Sequence, residues 1–427
     1  LTSTPTQSVP TVAPKGAASH GLPARPVEAE SRSILRQPAA VWAVAAASVF
    51  AFMGIGLVDP ILPAIAKNLN AGASEVSLLF TSYFAITGVA MLITGWVSSR
   101  IGGKKTLLIG LSLIVVFAAL AGLAENIPWL VGMRAGWGLG NALFVATALA
   151  VIVGVASGGS SAAIIIYEAA LGLGMSLGPL LGAILGGAQW RLPFFGTAVL
   201  MLLAAVAISI FLPKTPAPAK KTALGDPIRA LGHKGLGLTA LSSLCYNFGF
   251  FTVLAYSPFV LEMDAYGIGA VFVAWGVLVA VFSVFIAPIV QRRFGVSAVL
   301  TTTLVLFVLV LVALGVFADD KAVVAGFVIS TGAIIGVNNT LYTELAMEVS
   351  DSPRPVASAG YNFVRWIGGA LAPFFASKVG ETFGHQWAFF LGAAVVVVAV
   401  GVVIGARKFL TAHEGELEAE SPLGAMS

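Results

Sequence analysis

Long apolar runs without period-2 alternation fill most of this chain, and short polar turns separate them. Twelve such segments are predicted as helices: 41–62, 77–97, 106–123, 128–155, 161–187, 193–212, 236–261, 269–290, 296–317, 322–347, 356–378 and 387–406. Most are near the roughly 20 residues a helix needs to cross about 30 Å of hydrocarbon. The missing alternation argues against a membrane β-barrel. The expected fold class is an all-α membrane protein of twelve transmembrane helices.

One long polar break, Pro213-Lys-Thr-Pro-Ala-Pro-Ala-Lys220-Lys221, splits these segments into two sets of six. The expected organisation is a disordered tail over 1–40, a six-helix bundle over 41–212, a linker over 213–235, a second bundle over 236–408 and a tail over 409–427. The first 40 residues are rich in Pro, Ser, Thr and Ala and lack a signal-peptide pattern.

The two sets repeat one another. Tyr167 lies 12 residues before Pro179 and Tyr361 lies 12 residues before Pro373, with Gly174 and Gly368 at matching places between them. After each proline come Gln-Trp and a Phe pair, Gln189-Trp190 with Phe194-Phe195 and Gln386-Trp387 with Phe389-Phe390. Gly138-Leu-Gly140-Asn141 aligns with Gly336-Val-Asn338-Asn339 at an offset of 198, and Ser99-Arg100-Ile-Gly102 with Arg292-Arg-Phe-Gly295 near 193. Matches in the same order predict a duplicated six-helix unit, hence two pseudo-symmetric bundles with a site between them.

Composition agrees with this reading. Mean hydropathy is +0.97, with 10% charged and 58% hydrophobic residues, too little polar surface to cover a soluble globule. With the N-terminus placed in the cytoplasm, the even-numbered connections and both tails hold 17 of the 23 Lys and Arg, and the opposite connections hold 4. That bias predicts a multi-pass protein of the cell membrane with both termini cytoplasmic. Arg134 and Arg365 are left inside helices. The single cysteine, Cys245, excludes an internal disulfide, and no His/Cys cluster suggests a metal. No Gly-x4-Gly-Lys-Ser/Thr loop is present, so ATP is not the expected energy source, and no strand precedes Gly136-Trp-Gly138-Leu-Gly140 to make it a dinucleotide loop.

Gly95-Trp-Val-Ser-Ser99-Arg100-Ile-Gly102-Gly103-Lys104 between the second and third segments resembles the loop signature of the major facilitator superfamily. Ser99 stands where that pattern has Asp, which weakens the usual charge lock. Read alone, the motif is a basic turn; Gly95, Arg100, Gly102 and Lys104 are the residues the resemblance makes conformational. Leu130-Val-Gly-Met-Arg134-Ala-Gly-Trp137 is similar to the family's fourth-helix motif. Gly174-Met-Ser-Leu-Gly178-Pro179-Leu-Leu-Gly182 is similar to the fifth-helix signature of its proton-driven exporters, in the Gly-Pro core rather than the whole pattern. Glycines at these spacings let helices approach closely and Pro179 permits a bend, whether for packing alone or for a change of state. Asp59, four residues before Pro63, resembles the acid of the drug:proton antiporter group.

The resemblance, over about residues 41 to 408, implies a secondary active transporter that exports small apolar or cationic compounds in exchange for protons by alternating access. Its cavity would be lined mainly by the first, fourth, seventh and tenth helices. Asp59, Arg134 and Glu168 are the expected proton-coupling residues. A low dielectric favours the neutral acid and a neighbouring cation the ionised one, so such a site can exchange a proton for a positive substrate. Asp59 as a mere cap of the first helix is the plainer alternative. Asn362 stands opposite Glu168 and Gly332 opposite Arg134, so the titratable groups lie in the first half.

Expected substrate contacts are Trp137, Asn141, Tyr167, Tyr246, Asn247, Asn338, Asn339, Tyr342, Tyr361, Asn362 and Arg365, with a structural Glu344–Arg365 pair as the other reading of that arginine. The partners implied are protons, a small molecule and membrane lipid, with no nucleic acid, cofactor or metal, and a monomer as the working form. Export of an endogenous sugar, amino acid, siderophore or lipid is the first rival, and a passive facilitator the second. No nucleophile or acid/base set points to an enzyme.

Overall fold

The computed structural model describes residues 37–157, 159–215, 221–350 and 352–419. Of the predicted tails over 1–40 and 409–427, residues 1–36 and 420–427 lie outside the described residues, as does the side chain of Glu168, whereas 39–40 and 409–419 are helical. Among the described residues twelve long helices appear: α1 Ala39–Asn68, α2 Ala73–Ile101, α3 Gly103–Gly122, α4 Ile127–Val155, α5 Gly159–Ala188, α6 Leu192–Phe211, α7 Lys234–Leu261, α8 Ala265–Phe294, α9 Val296–Val316, α10 Lys321–Glu348, α11 Arg354–Phe383 and α12 His385–Ala419. Eleven of them contain a stretch long and apolar enough to cross a membrane. The other, α11, equals them in length but carries Arg365, Lys378 and Glu381.

Within each half the same helices meet. α1 packs on α5 and α6 as α7 packs on α11 and α12, and α2 packs on α4 as α8 packs on α10. Two seams join the halves, α2 against α11 and α5 against α8. The duplication also shows in the backbone. Gly102 between α2 and α3 has φ +83° and Gly295 between α8 and α9 has φ +77°, left-handed values that a side chain would strain. Both therefore close the same tight turn.

Several local features differ from the sequence expectation. α1 does not stop near Leu62: it breaks after Gly56, makes a 3-10 turn over Asp59–Ile61 and resumes to Asn68. Pro60 and Pro63 fall in the first turns of the new segments, where a missing N–H costs nothing. α8 carries a wide π turn over Phe282–Ile286. Gly336 allows α10 to approach Ser283 there, and Ser283 Oγ and Thr340 Oγ1 are 2.7 Å apart. The linker contains a short helix, Asp226–Ala230, whose Pro227 carbonyl lies against Gly360 of α11. α12 runs past its last apolar residues because Ala, Leu, Glu and Arg dominate the sequence that follows.

Candidate functional site

The stretch around Gly178 is a packing face. A Cβ on Gly174, Gly178 or Gly182 would lie 2.6, 2.6 or 2.3 Å from the carbonyl of Val49, Met53 or Leu57, so the four-residue spacing lays one face of α5 directly on the α1 backbone. Gly186 extends that stripe onto Ile61. A second face of α5 meets α8: Ser176 lies against Gly276, and Pro179 and Ala183 lie against Gly269. In the second half Gly368 of α11 approaches the Leu244 carbonyl of α7 in the same way.

Asp59 sits where this seam meets the break in α1. A Cβ on Gly56 would touch both Pro179 and the Asp59 carboxylate. Asp59 is fully buried, and neither carboxylate oxygen has a hydrogen-bond partner. It therefore does not cap the first helix, since capping requires its oxygen to accept a backbone N–H. Arg134 is equally buried and its Nε, Nη1 and Nη2 have no hydrogen-bond partner. Its guanidinium instead lies 4.4 Å from the Tyr83 ring centroid and 4.6 Å from that of Trp137. Asp59 and Arg134 act on each other electrostatically without forming an ion pair. Tyr83 was not among the sequence candidates, because nothing in its own segment separates it from other core aromatics.

Of the other candidates of the first half, Trp137 adjoins this pair, and Asn141 and Tyr167 lie farther along the helices. Trp137 is buried against Gly54 of α1 and Asn141 is buried with its Oδ1 unpartnered. The Tyr167 ring meets Phe52 edge-on and its hydroxyl donates to the Val145 carbonyl.

The second half joins Arg365, Asn247, Asn339, Tyr246 and Tyr361 in one hydrogen-bonded group. Arg365 Nε donates to Asn247 Oδ1 at 3.4 Å and Nη2 to Asn339 Oδ1 at 3.1 Å. Tyr246 donates to the same Asn339 oxygen at 3.2 Å, Asn247 donates to the Ser243 carbonyl at 2.9 Å, and Ser243 and Tyr361 hydroxyls are 3.1 Å apart. Tyr342 stacks on Tyr246 and its hydroxyl is 2.5 Å from that of Ser242. Asn362 donates to the Ser358 carbonyl. Asn338 stands apart: its Oδ1 accepts from Thr303 on α9. The Glu344–Arg365 pair does not form, and Glu344 bonds Gln291 of α8.

The loop motif holds the linker. Arg100 donates to the Trp96 and Thr222 carbonyls, and Ser99 Oγ accepts from Thr222 N at 3.3 Å. The Lys104 backbone N–H donates to Thr215 Oγ1 at 2.6 Å, and its ammonium donates to the carbonyls of Ser209 and Leu212. Gly95 faces Thr222. Serine in place of the family's Asp thus supplies a neutral hydrogen bond to the linker. At the opposite end of the bundle the halves are joined by Ser77 and Ser377, whose hydroxyls are 2.6 Å apart, and by Glu381, which accepts from Ser74 N at 2.8 Å.

Residues 44–373 match the model of the Major Facilitator Superfamily. The chain belongs to the major facilitator superfamily. It is 52% identical over 381 residues to the multidrug efflux protein YfmO of Bacillus subtilis (strain 168), an alignment covering 89% of this chain and 96% of that one. It is 25% identical over 296 residues to the quinolone resistance protein NorA of Staphylococcus aureus (strain MRSA252), covering 67% and 75%. The solved D-xylose-proton symporter shares the fold, with a TM-score of 0.71 and 16% identity over 86% of this chain and 96% of that one. The protein is a multi-pass membrane transporter of small molecules and not an enzyme, as the sequence implied.

Proposed function

We propose that the protein exports small apolar or cationic compounds across the cell membrane in exchange for protons. A charge buried without a partner is costly and is kept where it does work. The observation that carries this reading is Asp59, fully buried with no hydrogen-bond partner, in the field of an equally unpartnered Arg134. It adjoins the α1–α5 glycine seam, so a change in helix packing alters what its carboxylate meets. The export of drug-like compounds is supported by the multidrug efflux relative that shares half of the residues.

The basic connections place both termini in the cytoplasm on this reading. The Ser77–Ser377 and Ser74–Glu381 contacts then close the outer end, and opening them while the inner ends approach gives alternating access. The α5 glycines and Pro179 serve as the bearing, because they touch α1 on one face and the other half of the molecule on another.

The test is export of a fluorescent dye into inverted membrane vesicles energised by an imposed proton gradient. Asp59→Asn is expected to reduce gradient-driven export to background while the protein stays in the membrane in normal amount. Undiminished coupled export by this variant would refute the assignment.

A further inference from the structure

Arg365 differs from Arg134 in being open to its surroundings. It lies well inside α11, yet its side chain is partly exposed, as are its neighbours Trp366, Asn362 and Asn339. A guanidinium has five N–H donors. Two serve Asn247 and Asn339, both neutral acceptors, and among the described residues no carboxylate pairs with it. The remaining donors and the whole charge are therefore uncompensated at a depth where charge is expensive. Glu344, the acid that the sequence offered as a partner, is occupied with Gln291.

Beside the guanidinium stands an aromatic wall. The Trp366 ring centroid is 5.7 Å from Arg365 Cζ, and Trp366 stacks on Phe84 of α2 at 5.0 Å with only 16° between the planes. Phe251 of α7 backs Phe84 at 4.3 Å. Because Phe84 and Trp366 belong to different halves, the wall is built across the seam that moves when the halves rock.

We infer that Arg365 and Trp366, backed by Phe84 and Phe251, form a subsite for a flat aromatic compound that carries one anionic group, such as a carboxylate. This deepens the export reading above and rests on it, adding acids and zwitterions to the apolar and cationic compounds. The ring system lies against Trp366, and the carboxylate takes the free edge of the guanidinium, whose fork geometry matches two oxygens. A purely cationic compound meets repulsion here and must bind elsewhere.

The probes are a quinolone carboxylic acid and its decarboxylated analogue, which share one ring system and differ in the anion. In vesicles energised by a proton gradient, Arg365→Gln is expected to lower the ratio of acid to analogue export by about tenfold, as for a lost charge-assisted bond. Arg365→Lys, which keeps the charge but not the fork, is expected to fall between. In detergent solution, quenching of tryptophan fluorescence should show wild-type protein binding the acid more tightly than the analogue and Arg365→Gln losing that preference. An unchanged ratio and preference in Arg365→Gln would overturn the subsite, whatever happens to total export. Should wild-type protein fail to export the fluorescent dye while still preferring the acid in the binding titration, the proton-driven reading fails and the subsite stands.

Discussion

In the first six helices Asp59 and Arg134 are wholly buried, and neither has a hydrogen bond or ion pair among the described residues. In the second six, Arg365 is partly exposed and held by two asparagine amides in a hydrogen-bonded group that includes Tyr246 and Tyr361. The two halves share a fold and a set of glycine contacts, so the difference lies in the side chains added to a common scaffold. Unpartnered charges fit a site whose protonation changes with state, whereas a satisfied network with one free cation fits a surface that recognises a ligand.

Removing the two arginines should separate these roles most strongly. Arg134→Met is expected to bring gradient-driven export to background while leaving the melting temperature equal or higher, because an apolar side chain replaces a desolvated, unpaired charge. Arg365→Met is expected to lower the melting temperature, since Asn247 Oδ1 is left without its donor, at about 1–3 kcal/mol, while Asn339 Oδ1 keeps Tyr246. Thermal melts of the purified variants decide the matter. A large loss of stability in Arg134→Met would mean that its stacking between Tyr83 and Trp137 holds the bundle together, and the contrast between the halves would disappear.

The shared scaffold predicts the opposite outcome for glycines. A Cβ would lie 2.3 Å from the Leu57 carbonyl at Gly182 and 2.2 Å from the Leu244 carbonyl at Gly368. Gly182→Val and Gly368→Val should therefore destabilise both halves alike, by about 1–3 kcal/mol or more as the helices are forced apart. Chemical denaturation of each variant measures this. A marked inequality would show that only one of the two seams is tight.

Much of this was readable from sequence, and what was not has physical reasons. Segment length and apolarity set the spans, and the repeated Tyr, Gly and Pro spacing revealed the duplication because each copy must make the same helix contacts. Asp59 and Arg134 stood out because charge is rare in membrane helices. Pattern does not encode partners across space. Tyr83 under Arg134, the Ser77–Ser377 contact and the Phe84–Trp366 wall join residues far apart in the chain, each ordinary in its own segment. The π turn in α8 was hidden for a related reason, as it answers the close approach of Gly336 on another helix.

The smallest effect is expected where two charges lie closest. Lys321 Nζ donates to Glu262 Oε2 at 2.7 Å, but both side chains are largely exposed. That bond holds the Glu262 carboxyl below its usual range. Whatever stability it adds is therefore complete above the ordinary carboxylate range and is lost as pH falls through the lowered folded-state value. Water and salt screen such a pair, so Lys321→Met should leave both export and the melting temperature at neutral pH unchanged. A melt repeated from neutral to acidic pH, in wild type and variant, should give superimposable curves. A clear drop in the variant at neutral pH would show that the α7–α10 connection, rather than the buried pair at Asp59 and Arg134, is where charge matters most to this protein.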